Sequence, residues 1–129
     1  MDIHADERIV LTLDAGGTNF VFGAIQKGKP ISEEVRKDAN AHDLDLCIST
    51  MKEGFREVLQ HVEGAVAISF AFPGPADYPR GIIGDLNNLP AFRGGVPLKS
   101  ILEDEFNLPV FINNDGDLYA YGEALGGIL

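Results

Sequence analysis

The chain has 129 residues, 45% of them hydrophobic, with one cysteine and a formal net charge of −10. That length and composition suit a single globular domain with a real core and exclude global disorder. The charge argues against a nonspecific nucleic-acid or anionic-membrane binder, because phosphate would repel such a surface.

The opening MDIHADERIV is too polar for a secretion signal. No apolar run approaches the ~18 residues of a membrane span. Cys47 has no second cysteine to pair with, which suits a reducing compartment, so a cytoplasmic location is expected. Arg8 to Leu13 (RIVLTL) is apolar and β-branched enough for a strand covered on both faces. After Gly16-Gly17, the stretch Asn19 to Gln26 completes a hairpin. Lys27-Gly28-Lys29-Pro30 is turn chemistry, and Ile31 to Lys37 reads as a third strand whose charges suit an edge.

Leu44, Cys47, Ile48, Met51, Phe55, Val58, Leu59 and Val62 recur at helical steps. Lys52, Glu53, Arg56 and Glu57 occupy the opposite face, Asp43 supplies a cap, and Gly64 closes the element. Ala65 to Ala71 is another apolar strand. The following FPGPADYPRGIIGDLNNLPAFRGG has no clear periodicity and reads as a functional loop. Pro97 starts a short helix, Pro109 to Ile112 is the last strand, and NNDGDLYAYGEA leads into a last helix. This order predicts a mixed α/β sheet of five strands with helices on both faces. The first strand should be interior, with antiparallel neighbours before the long helix and parallel ones after it.

Three motifs carry candidate chemistry. In LDAGGTN, Gly16 and Gly17 leave main-chain N–H groups uncovered for phosphate, and Thr18 and Asn19 add a hydroxyl and an amide. Asp14, at the strand end, suits a magnesium ion held through water. In NNDGDLYAYGEA, Asn114 and Asp115 lie between a strand end and a helix start, where open α/β sheets place ligands. A helix N-terminus would keep Asp115 ionised and ready to accept a proton. In FPGPAD…NNLPAF, the amides of Asn87 and Asn88 suit sugar hydroxyls. Each motif alone is equally served by a plainer reading: a hairpin turn, a helix cap and loop chemistry. His4, His42, His61 and Cys47 show no metal-ligand spacing.

In this order and spacing, LDAGGTN, FPGPAD, NNLPAF and LPVFINNDGDLYAYGEA resemble the ROK family of glucokinase-like sugar kinases and sugar-responsive repressors. The resemblance runs from about Arg8 to Gly127. It implies an actin-like (ribonuclease-H-like) ATPase domain, with residues 1–129 as the N-terminal lobe and the C-terminal lobe absent from this chain. The implied activity is ATP-dependent phosphorylation of a hexose or N-acetylated hexosamine. Asp14, Gly16, Gly17, Thr18 and Asn19 match the family's first phosphate motif, Asn88 and Asn114 match sugar contacts, and Asp115 matches the catalytic base. ATP, magnesium and a small sugar are the expected ligands, and a homo-oligomer is compatible with the apolar surface that a lone lobe would expose.

The family often has NDAN where this chain has Asn114-Asp115-Gly116-Asp117, which leaves the sugar open but keeps the base. The alternatives are a sugar-sensing domain of a ROK-type regulator and a truncated module that keeps only the fold. Regulators of the family carry a helix-turn-helix before the first phosphate motif. Only thirteen residues precede Asp14, so a kinase is the expectation.

Overall fold

The computed structural model describes residues 7–15, 18–40, 43–71, 76–77, 82–83 and 96–113. Strand β1 (Ile9–Ala15) pairs antiparallel with β2 (Asn19–Gln26), as the apolar runs on either side of the glycines predict. The expected third strand is broken in two: β3 (Lys29–Pro30) and β4 (Val35–Asp38). Both pair antiparallel with β2, one near each end. Lys29-Pro30 is thus strand rather than turn, and the tight turn is only Lys27-Gly28, both at positive φ. Pro30 is tolerated because it sits on an edge, where a missing N–H costs no ladder bond. Between the two pieces the chain leaves the ladder at Ser32, Glu33 and Glu34, where adjacent carboxylates favour solvent.

Helix α1 (Leu44–Leu59) follows, and its cap is as expected: the Asp43 carboxylate accepts the Leu46 N–H at 3.1 Å. Strand β5 (Ala65–Ala71) then pairs parallel with β1. The stretch read as structureless contains two two-residue strands, β6 (Ala76–Asp77) and β7 (Ile82–Ile83), which form a small antiparallel sheet with β8 (Val96–Pro97) just after it. Helix α2 (Leu98–Phe106) begins one residue after Pro97 and stops at Asn107 in the left-handed region. Strand β9 (Val110–Asn113) pairs parallel with β5. The main sheet runs β3-β2-β1-β5-β9 with β4 also on β2, six strands where five were predicted because the third is split. Strand β1 is interior, and the pairing senses are the predicted ones.

The side-chain alternation sorts the sheet into two faces. Leu11, Leu13, Phe20, Phe22, Ile68, Phe70, Val110 and Ile112 form one core with Met51, Phe55 and Val58 of α1 and Leu98 and Leu102 of α2. Val10 and Ala67 point the other way, with Ile25 and Phe111 beside them. Both described helices therefore cover the same face. Topology requires it: β1, β5 and β9 advance in one direction across the sheet, so right-handed crossovers put both connecting helices on one side. The helix expected after Asn113 lies outside the described residues.

Phe55 is the hub of the core. Its ring meets Phe22 edge-on at 5.1 Å between centroids, Phe106 at 5.9 Å and Phe70 at 6.2 Å, which joins α1 to β2, α2 and β5. At the helix surfaces, Glu105 of α2 receives both Lys52 and Arg56 of α1. Lys37 of β4 reaches Glu57 of α1 at 2.7 Å.

Candidate functional site

Three parallel strands end in register. Asp14 of β1 lies opposite Ala71 of β5, and Ala71 lies opposite Asn113 of β9. Neighbouring strands in a sheet are ~4.8 Å apart, so this transverse row spans only about 10 Å of backbone. In an open α/β sheet, such an edge is where ligands bind. The row sets the end of the strand before the Gly16-Gly17 turn beside the end of the strand before Asn114-Asp115.

Asp14 is exposed although Leu13 is fully buried and Thr12 nearly so. Asp14 points to the face opposite the helices, whereas Ala15, the next residue, still packs against the core on the helix side. The Asp14 carboxylate makes no hydrogen bond or ion pair with another described residue. Thr18 and Asn19 are exposed at the start of β2, and the Asn19 amide donates to the Thr18 hydroxyl at 3.3 Å. Of the predicted site residues, Asp14, Thr18 and Asn19 are thus brought to one edge. Gly16, Gly17, Asn88, Asn114 and Asp115 lie outside the described residues, as does any distance between Asp14 and Asp115.

Sequence reasoning missed two groups. On the face opposite the helices, a cleft of about 220 Å³ is lined by Thr12, Asp14, Gly23, Ser32, Glu34 and Arg36, among others. Asp14 belongs to both this cleft and the strand-end row. Arg36 falls in the same row, paired to Val21, which is paired to Asp14. Alternating charge along the broken third strand was the only signal for it. The second group is the corner after β4, where Ala39 donates its N–H to the Thr18 carbonyl at 2.9 Å. Nothing in the local sequence announces that bond, because it joins residues brought together only by the β2–β4 pairing.

A magnesium ion fits the donor set at Asp14. Magnesium takes oxygen ligands, keeps several waters and commonly needs only one or two carboxylates beside substrate phosphates. An exposed carboxylate at a strand end, with no ion-pair partner among the described residues, meets that need. Among the described residues no cluster of three or more His, Cys, Asp or Glu could cage a metal, so Asp14 would hold it with water and phosphate rather than with other side chains. No helix among these residues is long and apolar enough to cross a membrane.

Comparison with known proteins gives the family of the chain. The ROK family model matches residues 10–127. A crystal structure of glucokinase from Parabacteroides distasonis superposes with a TM-score of 0.87 at 62% identity, covering 97% of this chain and 36% of that one. A ROK family glucokinase from Streptomyces griseus, solved with glucose and AMPPNP, superposes with a TM-score of 0.75 over 89% of this chain and 36% of its own. At 22% identity that likeness speaks to the fold alone. The xylose repressor of Bacillus spizizenii is 31% identical over 83 residues, 64% of this chain and 21% of the repressor. The chain thus spans well under half the length of each of these relatives.

Proposed function

Because the chain belongs to the ROK family and has the actin-like α/β fold of its sugar kinases, we propose that it supplies the phosphate turn and catalytic base of an ATP-dependent hexose kinase. The single observation that most supports this is the row Asp14–Ala71–Asn113, which brings the two motif-bearing strand ends to one edge. The proposed substrate is glucose or an N-acetylated hexosamine. The 62% identity to a glucokinase favours the kinase over the regulator reading that the xylose repressors represent.

In this reading the N–H groups of Gly16 and Gly17, with Thr18 and Asn19, hold the phosphates. Asn88 and Asn114 hold the sugar so that one hydroxyl faces the terminal phosphate. Asp115 orients that hydroxyl and accepts its proton as the new O–P bond forms, while the bond from the terminal phosphorus to the bridging oxygen breaks and ADP leaves with that oxygen. Phosphoryl transfer passes through a loose transition state, so positioning and charge neutralisation outweigh base strength. A magnesium ion at Asp14, when bound, neutralises charge on the phosphates. The adenosine grip is assigned to residues beyond this lobe, so the 129-residue chain by itself is proposed to be inactive. The cytoplasm, where ATP is abundant, is the proposed location.

Replacing Asp115 with Asn in the full-length protein tests the assignment. Turnover with ATP and glucose should fall by about 10²–10⁴, the usual worth of a positioned base, while circular dichroism stays unchanged. Turnover within tenfold of the parent would remove Asp115 as base.

A further inference from the structure

We infer that Asn40 is a positioning residue: it clamps Thr18, at the mouth of β2, to helix α1. Four bonds converge on it, the longest from its side-chain amide to the Asp38 carbonyl at 3.4 Å. Its backbone N–H donates to the Asp38 carboxylate at 2.8 Å, and its side-chain amide donates to the Thr50 hydroxyl on α1 at 3.0 Å. Its carbonyl accepts the N–H of Asp43, the residue that caps α1, at 3.1 Å. The preceding residue, Ala39, is fully buried and donates to the Thr18 carbonyl at 2.9 Å. Thr18 is therefore one hydrogen bond from a corner that is itself one bond from α1.

The backbone shows why the residue is asparagine. Asn40 sits at φ 52°, in the left-handed region that few side chains other than Asn and Asp enter readily. Glycine would accept that conformation but bring no amide. Aspartate would accept it too and could receive the Thr50 O–H, but it could not donate to the Asp38 carbonyl and would put a second carboxylate beside that of Asp38. Thr50 is itself buried, 7% exposed, in a helix whose other buried side chains are mostly apolar, so its hydroxyl has little access to water as an alternative partner.

The consequence for chemistry rests on the kinase reading. A turn that stabilises a transferring phosphoryl group must hold its N–H groups still before the reaction begins. Thr18 is the first described residue after the glycines, and the Asn40 corner is what fixes its carbonyl from behind.

Two variants separate the clamp from the kinase reading. Asn40→Gly keeps the backbone conformation and removes the amide, and Thr50→Val removes the hydroxyl at nearly constant volume. Hydrogen exchange on the 129-residue chain should show the Ala39 amide exchanging about tenfold faster in both, the scale of one lost hydrogen bond, with β5 amides unchanged. Thr50→Ser should restore the parent rate. Unchanged exchange at Ala39 in both variants would overturn the clamp, whether or not the protein transfers phosphate. In the full-length protein, Asn40→Gly should raise KM for ATP about tenfold and leave KM for the sugar within twofold, as expected when only one site loses preorganisation. An equal rise in both, or in the sugar KM alone, would overturn the positioning role.

Discussion

Asp14 closes the first motif-bearing strand on the face opposite the helices, which is why it is exposed while Leu13 is buried. Asp14→Ala in the full-length protein should weaken use of magnesium-nucleotide while sparing sugar affinity. Isothermal titration with each ligand separately decides this; loss of sugar affinity with nucleotide use intact would mean the two sites are assigned the wrong way round. Cys47 behaves in the opposite manner. It is fully buried on the core side of α1, and burial pushes its thiol up from 9.0 to about 11. The folded state therefore keeps a proton that the unfolded chain releases first. The stabilisation is complete below pH 9.0 and is lost as the pH rises toward about 11. Urea midpoints measured across that window should fall more steeply for the parent than for Cys47→Ala. Parallel curves would show that the thiol contributes nothing to the pH dependence.

Among the elements, α1 is held to β2 by contacts too tight for change. A Cβ on Gly54 would fall within the ring of Phe22, which is fully buried and fixed edge-on against Phe20 and Phe55. Alanine in a helix interior normally gains up to about 1 kcal/mol over glycine. Here overpacking, typically about 1–3 kcal/mol, should win. Gly54→Ala should thus lower the unfolding free energy in urea; a rise would mean that the Phe22 ring swings aside. The same elements explain what the sequence made readable. Continuous apolar runs identified β1, β2 and β5, and the three- and four-residue spacing with Asp43 identified α1, because burial on both faces or on one stripe leaves an unambiguous pattern. Two-residue strands leave none, so β6 and β7 were hidden in what read as a loop, and β8 at what read as the start of a helix. The break in the third strand was equally silent, since Ile31 looks apolar but is 41% exposed. At the candidate site, Asp14, Thr18 and Asn19 were visible in the motif, whereas Asn40, Thr50 and Arg36 act through pairings distant in sequence. Chain-local patterns do not encode such contacts.

For the molecule as a whole, the change of pairing sense at β1 has a kinetic meaning. On one side β1 meets β2 through a hairpin, with Ala15 opposite Phe20. On the other it meets β5 only after the chain has passed through β2, β3, β4 and α1, as in Asp14 opposite Ala71. Closing a short loop takes on the order of 10–100 ns and a hairpin about 1–10 μs, while long-range parallel pairing must first overcome a larger closure entropy. One edge of β1 should therefore be zipped while the other still waits for its partner. Pulsed hydrogen exchange during refolding should find the amides of the β1–β2 ladder protected before those of β9; simultaneous protection would indicate a single concerted step. During that interval the apolar edge of a half-built sheet is open to any other strand. This makes the arrival of β5 the step at which this chain is most exposed to mispairing with a second copy of itself.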